Sequence, residues 1–181
     1  MACNLTLGRS LPCKDVIGGI KALYFLNGRA TVSYDGTDTD VIDDIGTVSV
    51  YEYDLPNNSG QLVNTGTVNE QNGTSFYAQN LTVNLPSLTK ADHKELKLMQ
   101  SSRPTVFILD NNDNLFAMGV EFGCMVAVNS QTGTAKGDLS GYSLTISAEE
   151  LAPANFLKAT AGYGTAGYPF DNMTTGTVTI V

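Results

Sequence analysis

The side chains best equipped for chemistry in this 181-residue chain are its aspartates, a single histidine and three cysteines. Asp110-Asn111-Asn112-Asp113-Asn114, followed by Glu121, puts oxygens at the first, third, fifth and twelfth places of a calcium loop. The residue that should be glycine in such a loop is Leu115, and both flanks alternate like strands. The run therefore reads as a hairpin turn that uses the left-handed tolerance of Asn and Asp. Asp38, Asp40, Asp43 and Asp44 are close enough in sequence to hold a hard cation, but charge density alone fixes no ligand geometry, and a solvated loop is the simpler reading. No metal or cofactor is assigned.

His93 is the only histidine, so any Ser-His-Asp or Cys-His relay would have to pass through it. It sits beside Lys90, Lys94 and Lys97, on what reads as the wet side of a helix. Gly8, Gly18-Gly19 and Gly162-x-Gly164 are not followed by a phosphate-cradling pattern. Paired carboxylates for acid–base work cannot be picked from so many loop acids. Cys3, Cys13 and Cys124 form an odd set without C-x-x-C spacing, which supports neither a disulfide framework nor a zinc site. Cys3 and Cys13 could meet across a short loop; idle thiols are the plainer reading. Asn-x-Ser/Thr at Asn4, Asn57, Asn72, Asn80 and Asn172 reflects an Asn- and Thr-rich composition. The expectation is a protein with no catalytic residues.

Charge points the same way. No Lys or Arg lies between Arg29 and Lys90, a stretch holding Asp35, Asp38, Asp40, Asp43, Asp44, Glu52, Asp54 and Glu70. These acids account for the whole net charge of −8, because the remaining acids and bases cancel. Such a surface repels nucleic acid rather than binding it. The start, Met1 to Thr6, lacks the basic and long apolar parts of a signal peptide, and no apolar run nears the roughly 20 residues of a membrane span. Folding in a cytoplasm without a membrane anchor is expected.

The elements that must position these residues are mostly strands of one β-rich domain over residues 1–181, with an N-terminal arm to about residue 18. Ile20–Leu26 reads as a strand, with Asn27-Gly28 predicting a hairpin to a returning strand at Ala30–Tyr34. Asp35–Gly46 reads as a loop, Thr47–Leu55 as a half-buried strand, and Gln61–Thr67 and Ser75–Leu85 as further antiparallel structure. One helix is expected over about Leu88–Gln100, capped by Thr89 or Ser87. Leu88, Ala91, Leu96, Leu98 and Met99 form its apolar side. Thr105–Asp110 reads as a buried strand, followed by a turn into Leu115–Val128 and a second turn at Gln131–Thr134. Leu144–Ile146, Asn155–Ala159 and Thr177–Val181 complete the strands, and the glycine-rich segment 162–176 reads as an exposed arm or long loop.

The opening Ala2-Cys3-Asn4-Leu5-Thr6-Leu7-Gly8-Arg9, with Cys13-Lys14-Asp15 and Gly18-Gly19-Ile20-Lys21, resembles the start of virion structural proteins of tailed bacteriophages. The helix, then TVFILDNNDNLFAMGVEFG, then Thr132-Gly133-Thr134-Ala135, Asp138 and Gly141-Tyr142-Ser143-Leu144-Thr145 follow an order similar to phage tail tube proteins. The resemblance covers about residues 1–30 and 85–160. It implies an antiparallel β-sandwich or barrel with one flanking helix and long loops. It also implies a homo-oligomer of stacked, hexameric-type rings, resident in the virion tail after assembly in the host bacterial cytoplasm. Its partners would be further copies and other tail proteins such as tape measure, terminator or sheath. DNA would pass during ejection without specific binding. The family supplies no catalytic residues and no cofactor. The loops Asp35–Gly46 and Pro56–Gly73 could then bridge neighbouring rings. Asp35, Asp38, Asp40, Asp43 and Asp44 become candidates for an acidic lumen or an inter-ring loop. Two alternatives compete: another virion part (head decoration, fibre, tail adaptor or terminator), or a cation-dependent carbohydrate-binding β-sandwich. Against the latter, Trp is absent and aromatics are only 8%, which leaves few stacking platforms for a sugar.

Overall fold

Strand pairing between distant segments builds this protein. The computed structural model describes residues 7–11, 13–57, 59–158, 160 and 162–181. In chain order the elements are β1 (Ile20–Leu26), β2 (Ser33–Tyr34), β3 (Val41–Asp44), β4 (Val48–Asp54), β5 (Gly60–Asn69) and β6 (Thr74–Pro86). Then come α1 (Lys90–Ser101), β7 (Thr105–Asp110), β8 (Leu115–Met118), β9 (Met125–Gln131), β10 (Gly141–Glu150), β11 (Asn155–Leu157) and β12 (Val178–Ile180). They form an eight-stranded sheet, ordered β12-β4-β1-β7-β8-β11-β3-β2, and a four-stranded sheet, β5-β6-β10-β9. The architecture is a β-sandwich with one helix. Neither sheet closes on itself, so the barrel form of the expectation does not hold.

The eight-stranded sheet is buried on both faces at its centre, which explains why β1 and β7 are nearly continuous apolar runs rather than alternating ones. Leu23, Phe25, Val106 and Ile108 face the small sheet and meet Leu81, Val83, Leu144 and Ile146 there. Tyr24, Leu26, Phe107 and Leu109 face the other way and meet Ile42, Ile45, Val50 and Phe170. Phe170 stands edge-on to both Tyr24 and Phe107, at centroid distances of 5.2 and 5.5 Å. Segment 162–176 is thus the long loop of the two forms expected: residues 163–167 are exposed, while Tyr168, Phe170 and Met173 roof the outer face of the large sheet.

Four sequence expectations need correction. The Asn27-Gly28 hairpin does not form, because β4 and β7 occupy both edges of β1. Gly28 does take a left-handed φ of 82°, and its carbonyl accepts from Thr105 N at 2.9 Å, which steers the chain out of the sheet. The acidic stretch is not all loop. Ile42, with no exposed surface, anchors β3, which pairs in parallel with β11. Leu115–Val128 is two strands in different sheets. Gly119 and Gly123 break it at φ 68° and 78°, and a Cβ on Gly119 would come within 2.4 Å of Cys124 Sγ. Finally, the helix starts as read, with Thr89 Oγ1 accepting from Asp92 N at 3.0 Å, but it buries little. Of its apolar side only Leu96 is buried; Met99 is half-buried, and Leu88, Ala91 and Leu98 are exposed.

Candidate assembly surfaces

The five candidate aspartates separate into two groups. Asp43 and Asp44 lie in β3, while Asp35, Asp38 and Asp40 lie in the loop before it. Asp44 is buried, and its carboxylate accepts from Gly46 N at 3.0 Å, Gly176 N at 3.1 Å and the Thr175 hydroxyl. Those donors, the Thr175 hydroxyl foremost, hold its carboxyl below the usual aspartate range. Asp43 accepts from Lys158 Nζ at 2.6 Å and from the Thr174 hydroxyl, and these bonds likewise favour its charged form. Both acids therefore clamp the roof segment to the large sheet. Asp35 Oδ1 accepts from Thr37 N and Asp38 N, and Asp38 Oδ1 from Asp40 N, so these side chains shape their own exposed loop. Among the described residues no three His, Cys, Asp or Glu side chains converge as a metal site requires.

The calcium-like run is the β7–β8 hairpin turn. Asp110 accepts from Asn112 N and Asn114 N, each at 2.8 Å, and Asp113 sits at φ 60°. Asp113 also meets Lys21 Nζ at 3.4 Å and accepts from the Tyr168 hydroxyl, a bond that, with Lys21 beside it, lowers its pKa. His93 is exposed on α1, its ring 6.3 Å from that of Tyr142. Cys124 is buried and desolvation pushes its thiol up to about 12, which leaves it unreactive; Cys13 is exposed. Cys3 and Asn4 lie outside the described residues.

Sequence reading missed two surfaces. The first is the pair of edge strands of the small sheet, of which β9 has α1 packed against it and β5 does not. β5 has ten residues and contains no charge and no proline; among the described residues it pairs only with β6, and β9, on the other side, pairs only with β10. Natural edge strands are normally shortened, charged or bulged to prevent pairing with another chain. β5 has none of these guards. The outward face between the two edges carries Asn80, Thr82, Asn84, Ser143, Thr145 and Ser147, with Glu149 at one end and no Lys or Arg. The alternation of β6 and β10 was visible in the sequence, but the openness of their neighbours depends on strand order, which was not.

The second surface is a groove of about 870 Å³ between α1 and β4. Tyr51, Tyr53, Leu98 and Met99 supply apolar walls and α1 supplies the Asp92 and Glu95 carboxylates; Glu52 and Asp54 border the groove along β4, whose alternation turns their side chains to the other face with Tyr24, and no Lys or Arg lines it. Tyr53 is fixed edge-on against Phe25 at 5.1 Å, so part of the floor is rigid before anything binds. Burial raises the Tyr53 pKa, helped by the nearby Asp92 and Glu95 charges. Glu52 Oε1 accepts from the Tyr24 hydroxyl at 2.7 Å, which holds its side chain on the opposite, roofed face of the large sheet.

Comparison with known protein families, with curated proteins and with solved structures returned no match.

Proposed function

We propose that this protein is the structural subunit of a phage tail tube, assembling through its small sheet into rings that stack. The unguarded ten-residue β5 edge carries the reading. β5 and β9 stand at opposite sides of one sheet. Pairing β5 of one copy with β9 of the next is a head-to-tail contact, which closes into a ring if the rotation allows. The resemblance of the helix, the β7–β8 hairpin and β10 to tail tube sequences supports the same conclusion. In such a ring the small sheet forms the channel wall. Its outward Asn, Ser and Thr side chains would let DNA pass without the phosphate contacts that Lys and Arg make. The loop bearing Asp35, Asp38 and Asp40 belongs to the other sheet, and in this arrangement it serves as an inter-ring loop rather than a lumen lining.

Negative-stain microscopy of the purified protein, with light scattering alongside, tests the reading. Rings or tubes with a central hole are expected. A stable monomer or trimer at high concentration would sink it in favour of a head decoration or fibre protein.

A further inference from the structure

We propose that the groove between α1 and β4 is the seat for residues 7–14 of a second copy of this chain. Groove and arm complement each other in charge. Among the described residues the ion pairs are Lys21–Asp113 and Lys158–Asp43, so the groove carboxylates Asp92 and Glu95 take part in none of them, and neither do Arg9 and Lys14. They also match in polarity. Leu7 is 90% and Leu11 97% exposed, an unusual state for leucines that nothing else covers. In an extended segment alternate side chains share a face, so Leu7, Arg9 and Leu11 make one row in which a base is flanked by two apolar groups. A groove that sets carboxylates beside tyrosine, leucine and methionine walls fits that row.

The arm is held at its inner end. Ile17 N donates to Asn112 Oδ1 at 3.0 Å and Asn112 Nδ2 donates back to Ile17 O at 2.7 Å, which ties the arm to the β7–β8 turn. β7 flanks β1 on one side and β4 on the other, and the groove lies against β4. None of the described residues of the arm lines its own groove, and Leu7, Leu11, Val16 and Ile17 all stay exposed, so the groove is open to the arm of a neighbour. This contact is head-to-tail and repeats from copy to copy. It adds to the self-assembly reading but does not rest on it, because it needs no ring.

Charge reversal in full-length protein tests the seat. One variant carries Arg9→Glu and Lys14→Glu; the other carries Asp92→Lys and Glu95→Lys. Each alone sets like charges against each other and is expected to weaken self-association by roughly a hundredfold in sedimentation velocity, whereas an equimolar mixture recovers it. Recovery on mixing requires two chains, so an arm folded onto its own groove cannot produce it. A wild-type protein that never associates, double variants that associate like wild type, or a mixture that stays dispersed would each overturn the proposal. Should the groove variant fail to fold, a labelled peptide of residues 1–17 titrated onto wild-type protein decides. Binding that weakens with added salt supports the seat, and no binding refutes it. Rings on the grid without charge dependence would remove only the groove seat; charge-dependent association without rings would remove only the tube reading.

Discussion

Asp44 shows how an acid in this chain is used for construction. Its carboxylate, buried beneath the roof segment, collects two backbone N–H donors and a hydroxyl from positions far apart in sequence. Asp44→Ala leaves those partly buried donors to water and is expected to lower stability by about 1–2 kcal/mol, measured by urea unfolding. The same bonds set the acid response. Asp43, Asp44 and Asp113 all have folded pKa values below the ordinary 3.8, so folding favours their charged forms. Their stabilisation is complete above that value and is lost as pH falls through the lower folded values. Glu150 runs the other way. Burial raises its carboxyl above the ordinary 4.5, so its cost is relieved as pH falls. The depressed aspartates outnumber it, and the melting temperature should hold steady from about pH 8 to 5, then drop below about pH 4. In the Asp44→Ala variant that acid-side drop should be smaller; an unchanged drop would remove Asp44 from the account.

At the scale of elements, what the sequence displayed was local chemistry, and what it concealed was partner choice. Thr89 and Asp92 announced the helix start, and Thr105–Asp110 announced a buried strand, because caps and apolar runs are written in neighbouring residues. Asn27-Gly28 announced a turn but not which strand returns beside β1; β4 and β7, farther along the chain, win both places. The helix face misled for a related reason. Its apolar residues lie on one side, yet the sandwich covers only the Leu96 position fully. Leu96→Ala should cost about 2–4 kcal/mol, whereas Leu98→Ala, at a side chain 57% exposed, should stay within about 0.5 kcal/mol. Paired thermal melts check both, and equal effects would contradict the packing described. Of the candidate acids, the sequence showed only that five aspartates lie close together along the chain. It could not tell that Asp43 and Asp44 were committed to Lys158 and the threonines at 174 and 175, more than a hundred residues downstream.

At the scale of the whole molecule, the two sheets have different duties. The large one is filled on both sides, and the small one ends in β5, which among the described residues pairs on one side alone. If β5 joins copies, a charge there blocks assembly without disturbing the fold. Val63→Lys with Val68→Lys, at side chains 43% and 73% exposed, should leave the melting temperature within about 2 °C of wild type and abolish particles larger than a few subunits. Large assemblies that persist with both lysines in place would exclude β5 as the joining edge.

The roof over the large sheet also governs timing. Tyr24 and Phe107 are synthesised well before Phe170, and β4 well before its parallel partner β12. Until residues 168–180 arrive, the nascent sandwich presents an aromatic face to its surroundings, the kind of surface that chaperones hold and proteases sample. A prematurely terminated chain never covers that face. Completion of translation thus separates chains whose large sheet is covered from fragments that leave it bare.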